Sequence, residues 1–93
     1  MKISAIKPLV LGTPWRNLTY VIVETDEGLR GVGEVRMVNH TDSLLGYLQE
    51  ASKHHILGSD PMKIEDLVQR MFRRDFARAS EIMMSAIAVI EMA

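Results

Sequence analysis

Apolar residues in the first third of the chain come in short runs separated by polar turns. An apolar run at residues 20–23 is followed by the polar stretch 24–28, and a second apolar run begins directly afterwards. Short β-branched and aromatic runs around a polar cluster that ends in glycine are typical of a β-hairpin. The pattern predicts strands at residues 18–25 and 29–36, with Gly28 taking the positive φ of the turn at no steric cost.

The second strand of this hairpin contains two glycines, Gly31 and Gly33. Glycine inside a strand lacks a side chain that would pack, and it often marks a place where another backbone or a ligand approaches closely. We therefore expect a close contact on this strand.

A further strand is predicted at residues 3–11, ahead of the hairpin. Pro8 lies inside it and cannot donate a hydrogen bond to the sheet, which places this part of the strand at an edge or a bulge. Residues 12–17 form a loop by their composition. Three antiparallel strands joined in chain order are the simplest topology, and such a sheet needs a cover over its apolar face.

Three helices are predicted to supply this cover, which makes the fold class α+β: a three-stranded antiparallel β-meander followed by three helices. N-cap residues at 41–43 start the first helix, which runs to about Lys53, and Gly58 closes the segment. Asp60 and Pro61 are interpreted as the N-cap and first residue of the second helix. Its apolar residues share one helical face: Ile64, Leu67, Val68, Met71 and Phe72.

The third helix, capped by Ser80, is apolar on nearly all sides over residues 82–92. Such a helix is normally buried on all sides, and a unit of three strands and three helices is too thin to bury it. We expect another surface against it, either a partner subunit or a further part of the chain. No helix stop signal precedes Ala93, so we interpret the chain as a truncated piece of a longer protein.

Composition and charge exclude several classes of protein. The 93 residues carry a formal net charge of −1 and no cysteine. This argues against a nucleic-acid partner, a disulfide framework and a zinc–thiolate site. The first residues lack the apolar core of a signal peptide, and no apolar run approaches the roughly 20 residues of a membrane span. We expect a cytoplasmic protein with no membrane partner.

Five short stretches match, in this order, the motifs of one enzyme family. They are MKI at residues 1–3, VETDEGLRGVGE at 23–34, LGSDP at 57–61, IEDL at 64–67 and SAIAVIEMA at 85–93. Together they resemble the N-terminal capping domain of the enolase superfamily, in the mandelate racemase and muconate lactonizing enzyme group. The resemblance spans nearly the whole chain.

This resemblance implies an enzyme whose chemistry lies in a C-terminal (β/α) barrel outside residues 1–93. In the family that barrel binds Mg²⁺ through three carboxylates and carries the Lys or His acid/base groups. No catalytic or metal-binding residue is therefore expected in this segment. The capping domain resembles a lid that closes over the barrel mouth and contacts the distal part of the substrate.

Within the family, the short first loop and the spacing around residues 84–88 are most similar to the acid-sugar dehydratases. The resemblance thus implies a small carboxylate substrate, a sugar acid, that loses a proton next to its carboxylate and then its β-hydroxyl. We also expect a homo-oligomer. Two alternatives stay open: a racemase or cycloisomerase of the same superfamily, and a self-contained α+β homodimeric interaction module.

Two loops are expected to face the barrel mouth, and the first is residues 13–17. Here Trp15 stands beside Arg16, and an arginine can bind a carboxylate through two hydrogen bonds. We predict that both residues contact substrate. The alternative is that Trp15 packs over the sheet edge while Arg16 is solvated.

The second loop is residues 36–41, after the strand with the two glycines. Arg36 can meet a negative charge, and Asn39 and His40 can exchange hydrogen bonds with sugar hydroxyls. We predict these three as substrate-binding residues. The alternative is that Asn39 or Thr41 caps the following helix.

Two further groups of residues are interpreted as structural and not as binding sites. His54 and His55 are adjacent on a helix and point about 100° apart, and no Asp, Glu or Cys completes a recognisable metal-ligand spacing around them. A basic group could hold phosphate, but we interpret it as a solvated helix end that contacts the barrel or a second subunit. It consists of Arg70, Arg73, Arg74 and Arg78.

Overall fold

The computed structural model describes residues 1–37, 39–77 and 80–93. Its sheet has the strand order β1-β2-β3, and both neighbouring pairs are antiparallel. β1 spans Ile3–Gly12, β2 spans Asn17–Thr25 and β3 spans Arg30–Val35. The predicted meander is confirmed.

Gly28 and Pro8 take the places that their chemistry predicts. Gly28 has a φ of 85° in the turn between β2 and β3. Pro8 pairs with Val21 from the edge strand β1, where proline is tolerated because alternate N–H groups face away from the sheet. The register of β1 and β2 shifts between Ile3 and Ala5, not at Pro8.

Three α-helices follow the sheet, as predicted. α1 covers Thr41–Ala51 and continues as a π-helical segment over Ser52–Ile56, α2 covers Ile64–Arg73, and α3 covers Glu81–Met92. Gly58, with a φ of 83°, closes the first of these segments. Ser80 caps α3, since its Oγ accepts a hydrogen bond from the backbone N–H of Met83 at 3.2 Å.

The predicted start of α2 is wrong. Asp60 and Pro61 do not begin the helix, which starts at Ile64. Instead, Asp60 Oδ1 accepts a hydrogen bond from the N–H of Met62 (2.9 Å), and its carbonyl accepts one from the N–H of Lys63 (3.1 Å). The aspartate therefore closes a separate turn ahead of α2, as Asp side chains commonly do.

α3 lies directly against the two glycines of β3. A β-carbon on Gly33 would be 2.6 Å from the carbonyl oxygen of Val89, and one on Gly31 would overlap the carbonyl of Ala93. The close approach predicted from the glycines is confirmed, and the approaching group is the backbone of α3.

The core lies between one face of the sheet and the helices. Its largest fully buried side chains are Val21, Leu44, Leu48, Ile56, Met71 and Val89. α3 is buried on its inner side, but Met84 and Met92 are 42% and 62% exposed. The surface expected against that side is not supplied by the described residues and stays a prediction. No helix in the described ranges is long and apolar enough to cross a membrane.

Candidate functional site

Two loops at one end of the sheet enclose a cleft of about 300 Å³. The first loop joins β1 to β2, and the second joins β3 to α1. We call the site the polar cleft; it is lined by Thr13, Arg16, Asn17, Met37, Asn39, His40, Thr41, Asp42 and Ser43. The two segments that the sequence marks as candidate sites therefore lie side by side.

Thr13 and Arg16 hold the first loop in shape. The backbone N–H of Thr13 donates to the carbonyl of Arg16 (3.1 Å), and the N–H of Arg16 donates to Thr13 Oγ1 (3.1 Å). The Thr13 hydroxyl also donates to the Arg16 carbonyl. Since Gly12 and Asn17 are paired at the ends of their strands, only four residues form this closed connection.

The second loop is bent by Asn39, whose φ is 66°. Non-glycine residues rarely take this left-handed conformation, and asparagine is among those that tolerate it. The N–H of His40 donates to the carbonyl of Met37 at 3.3 Å, and the carbonyl of His40 accepts the first bond of α1, from Leu44, at 3.0 Å. The loop thus leads directly into the helix.

α1 begins without the cap that the sequence suggests. His40 occupies the N-cap position and makes no capping hydrogen bond with its side chain. The hydroxyl of Thr41 accepts a hydrogen bond from Asn17 Nδ2 at 3.2 Å, so it binds the first loop. The interpretation of Asn39 or Thr41 as the cap is therefore wrong, because Asn39 lies before the cap position and Thr41 bonds elsewhere.

Three of the five predicted substrate-binding residues line the polar cleft: Arg16, Asn39 and His40. The other two do not. Trp15 is 85% exposed at the tip of the first loop. Arg36 is exposed next to the buried Met37, since successive side chains after a strand point to opposite sides.

Thr13, Asn17 and Thr41 line the cleft but were not among the predicted site residues. They shape the loops through hydrogen bonds of their side chains. The signal for Thr13 is local, because a Thr three residues before Arg16 fits a side-chain turn. The pairing of Asn17 with Thr41 joins residues 24 positions apart, so no local pattern indicates it.

His54 and His55 lie on the π-helical segment, and Arg70 of the basic group contacts the end of that segment. Within residues 1–37, 39–77 and 80–93, no cluster of three or more His, Cys, Asp or Glu could hold a metal ion. The Arg70 guanidinium points inward and donates to the His55 carbonyl (3.2 Å), to Ser59 Oγ (3.0 Å) and to Asp66 (3.2 Å). Arg70 therefore ties α2 to the end of the π-helical segment. Arg78 lies outside the described residues.

The clear pKa shifts of the described residues lie away from the cleft. A hydrogen bond from Lys7, supported by Arg30, lowers the pKa of Glu24 on the open face of the sheet. Burial lowers the pKa of His55 and raises the pKa of Tyr47. None of these three groups lines the polar cleft.

Comparisons with known proteins agree with this architecture. The model of the mandelate racemase / muconate lactonizing enzyme N-terminal domain matches residues 5–93. D-mannonate dehydratase of Novosphingobium aromaticivorans is 36% identical over 93 residues, and D-galactonate dehydratase of Ralstonia pickettii is 38% identical over the same length. Each match covers 100% of this chain and 23% of the relative, so the chain spans about a quarter of the length of these enzymes.

A solved structure of an enolase from Agrobacterium radiobacter, with bound Na and L-malate, superposes with a TM-score of 0.84 at 25% identity. It covers 100% of this chain and 23% of that one. The family match over most of the chain, together with the sheet and helices described above, places the chain in the enolase superfamily. It belongs to the N-terminal domain family of mandelate racemases and muconate lactonizing enzymes.

Proposed function

We propose that this chain is the N-terminal capping domain of a Mg²⁺-dependent acid-sugar dehydratase, followed by a C-terminal (β/α) barrel that carries the catalytic groups. The polar cleft is the observation that supports this most directly. It brings Arg16, Asn39 and His40 together from two separate loops. These side chains suit a substrate that combines negative charge with several hydroxyls.

The cleft has chemistry for recognition, and the proposal assigns the reacting groups to the barrel. Arg16 supplies a permanent positive charge and paired donors. Asn39 can donate and accept at once, and His40 can do so in its neutral form. In the proposal these residues hold the distal end of the sugar acid, while the lid excludes water from the barrel mouth.

The reaction of such an enzyme is the loss of water from a hydroxy acid. The carbon next to the carboxylate gives up a proton to a base, and the β-carbon loses its hydroxyl, which takes a proton from an acid and leaves as water. The resulting enol rearranges to a 2-oxo-3-deoxy acid. The dehydratase names of the two relatives favour this reaction over racemisation or cycloisomerisation.

The described residues contain no group of three or more His, Cys, Asp or Glu that could hold a metal ion. The proposal therefore assigns the ion to the barrel, and we derive no step through it. This domain's own contribution is to bind and orient the substrate.

The direct test is an assay of the full-length protein with D-mannonate, D-galactonate and related sugar acids, following the 2-oxo product with Mg²⁺ and after chelation. We expect dehydration of at least one sugar acid, lost on chelation. Arg16→Ala should raise KM about tenfold or more, because a charged hydrogen bond is removed. Gln69→Ala is the control, since it removes hydrogen bonds to Glu65 and Arg73 within α2, away from the cleft. No dehydration of any sugar acid, or an unchanged KM in Arg16→Ala, would contradict the proposal.

We also propose that the full-length enzyme forms a homo-oligomer. Leu9, Leu11 and Val32 are all more than half exposed on the open face of the sheet, and Met92 is exposed on α3. Exposed apolar patches commonly mark interaction sites. Light scattering should give a multiple of the chain mass, and a purely monomeric enzyme would contradict this.

A further inference from the structure

We propose that the hydrogen bond between Asn17 and Thr41 is a clasp that fixes the two loops of the polar cleft relative to each other. Both are then positioning residues for substrate recognition. The inference rests on the proposed function of the cleft for its effect on catalysis, but the clasp itself can be tested without activity.

The clasp joins two elements at their first residues. Asn17 is the first residue of β2 and Thr41 is the first residue of α1. Asn17 Nδ2 donates to Thr41 Oγ1 at 3.2 Å. Within the described ranges, no second hydrogen bond joins the two loops. Their relative position therefore depends on this contact, on packing and on the ladder between β2 and β3, which ends at the pair Thr19 and Val35.

Each loop is closed by its own hydrogen bonds. The first is held by the bonds between Thr13 and Arg16, and the second by the bond from the N–H of His40 to the carbonyl of Met37. Each loop is therefore constrained internally. A hydrogen bond between the two loops can therefore control how the residues of the first loop face those of the second.

The start of α1 gives up local stability at this point. Asn39 and Thr41 flank the N-cap position and are residue types that cap helices well, but neither caps α1. Asn39 is also held at a φ of 66°. Departures from local preference of this kind are typical of functional sites, and here the hydroxyl of the first helical residue, Thr41, binds the other loop.

Loss of the clasp should weaken binding and spare the chemistry. Arg16 lies on the first loop, whereas Asn39 and His40 lie on the second. With a looser connection the distance between the two loops varies more, so all three side chains contact one substrate molecule at the same time less often. The reacting groups lie elsewhere in the proposed enzyme. KM should therefore rise while kcat changes little.

The experiment compares Asn17→Leu, Thr41→Val and the double variant in the full-length enzyme, with D-mannonate and D-galactonate as substrates. Each single variant should raise KM about fivefold, the effect of one lost hydrogen bond, with kcat nearly unchanged. The double variant should match the singles, because the same bond is lost once. Thr41→Ser retains the hydroxyl and should restore the KM.

Thr25→Val is the matched control. It makes the same chemical change at the opposite end of the sheet, where Thr25 Oγ1 accepts a hydrogen bond from the N–H of Leu29 at 3.1 Å. Its KM should equal that of the wild type. A KM that rises equally in Thr25→Val would show a general effect on the fold and overturn the clasp.

Amide hydrogen exchange supplies the readout that is independent of activity. Exchange over residues 13–17 and 39–44 should accelerate in both single variants, no further in the double variant, and not in Thr25→Val. The clasp would be overturned if exchange in both loops were unchanged in the single variants. It would also be overturned if the effects of the two substitutions on the exchange rate multiplied in the double variant. A raised KM in Arg16→Ala with wild-type KM in both clasp variants would overturn the clasp alone, whereas an unchanged KM in Arg16→Ala contradicts the proposed function.

Discussion

A β-carbon on Gly33 would lie 2.6 Å from the carbonyl oxygen of Val89, so α3 crosses β3 at a distance that only glycine allows. This contact fixes α3 against the sheet, and α3 in turn forms one wall of the core. The strand that bears the glycines leads directly into the second loop of the polar cleft. Packing of α3 therefore helps to place the cleft.

Gly33→Ala should destabilise the protein by about 1–3 kcal/mol, the usual cost of inserting an extra carbon into a packed interior. The backbone of α3 would have to move to accommodate it. Thermal unfolding of the two proteins measures the change.

Gly46→Ala is the matched control for that substitution. A β-carbon at Gly46, in α1, would meet nothing within 4 Å. It should stabilise the helix by up to ~1 kcal/mol, because alanine is the better helix former. If both alanines had the same effect, the close approach of α3 to β3 would not be the cause.

Asn39→Gly and Asn39→Ala should separate backbone strain from recognition. Glycine adopts the φ of 66° freely, whereas alanine in this left-handed conformation is less stable by roughly 1–2 kcal/mol. Asn39→Gly should therefore keep the stability of the wild type and still raise KM for the sugar acid, since both variants lack the amide. A wild-type KM in Asn39→Gly would argue that Asn39 serves only the turn.

Arg70→Lys should destabilise the protein by roughly 1.5–3 kcal/mol, the range for hydrogen bonds to charged groups. The guanidinium binds the His55 carbonyl and Ser59 Oγ at once, and a lysine ammonium cannot reproduce that planar geometry. Urea unfolding gives the difference. Stability equal to the wild type would show that a positive charge alone suffices at this position.

The free energy of unfolding should fall as the pH is lowered, because His55 takes up a proton. Its pKa is lowered from 6.5 in the folded protein, mainly by burial, so below pH 6.5 the unfolded chain binds the proton first. The contribution of neutral His55 to the free energy of unfolding is complete above pH 6.5, and it is lost as the pH falls through the folded-state pKa. Unfolding free energies between pH 7.5 and pH 5 measure the slope, with both limits chosen about one unit or more from 6.5.

His55→Asn should flatten this pH dependence, because it removes the titrating ring. His54→Gln should weaken it only in part, since the charge on His54 is a smaller cause of the lowered His55 pKa than burial. An identical slope in the wild type and His55→Asn would contradict the assignment.

Features that depend on neighbouring residues could be predicted from the sequence. The hairpin turn at Gly28, the edge position of Pro8 and the cap at Ser80 follow from the chemistry of one residue and its immediate surroundings. The glycines of β3 indicated a close contact, although they did not identify α3 as the partner. That identity depends on how the chain folds back over the sheet.

Features set by a competing local turn or by a distant contact could not be predicted from the sequence. The sequence at Asp60 and Pro61 fits a helix start, but Asp60 closes its own turn ahead of α2. Thr41 fits a helix cap, but its hydroxyl binds Asn17 across the cleft. The meeting of the two loops was expected from the family resemblance, and hydrophobic periodicity alone does not indicate it.

The most direct test of the central claim is a crystal structure of the full-length protein with Mg²⁺ and a bound sugar acid. We expect the polar cleft to face the mouth of the barrel. At least one of Arg16, Asn39 and His40 should lie within about 3.2 Å of a substrate oxygen. A substrate held entirely by barrel residues, with the polar cleft open to solvent, would contradict the account.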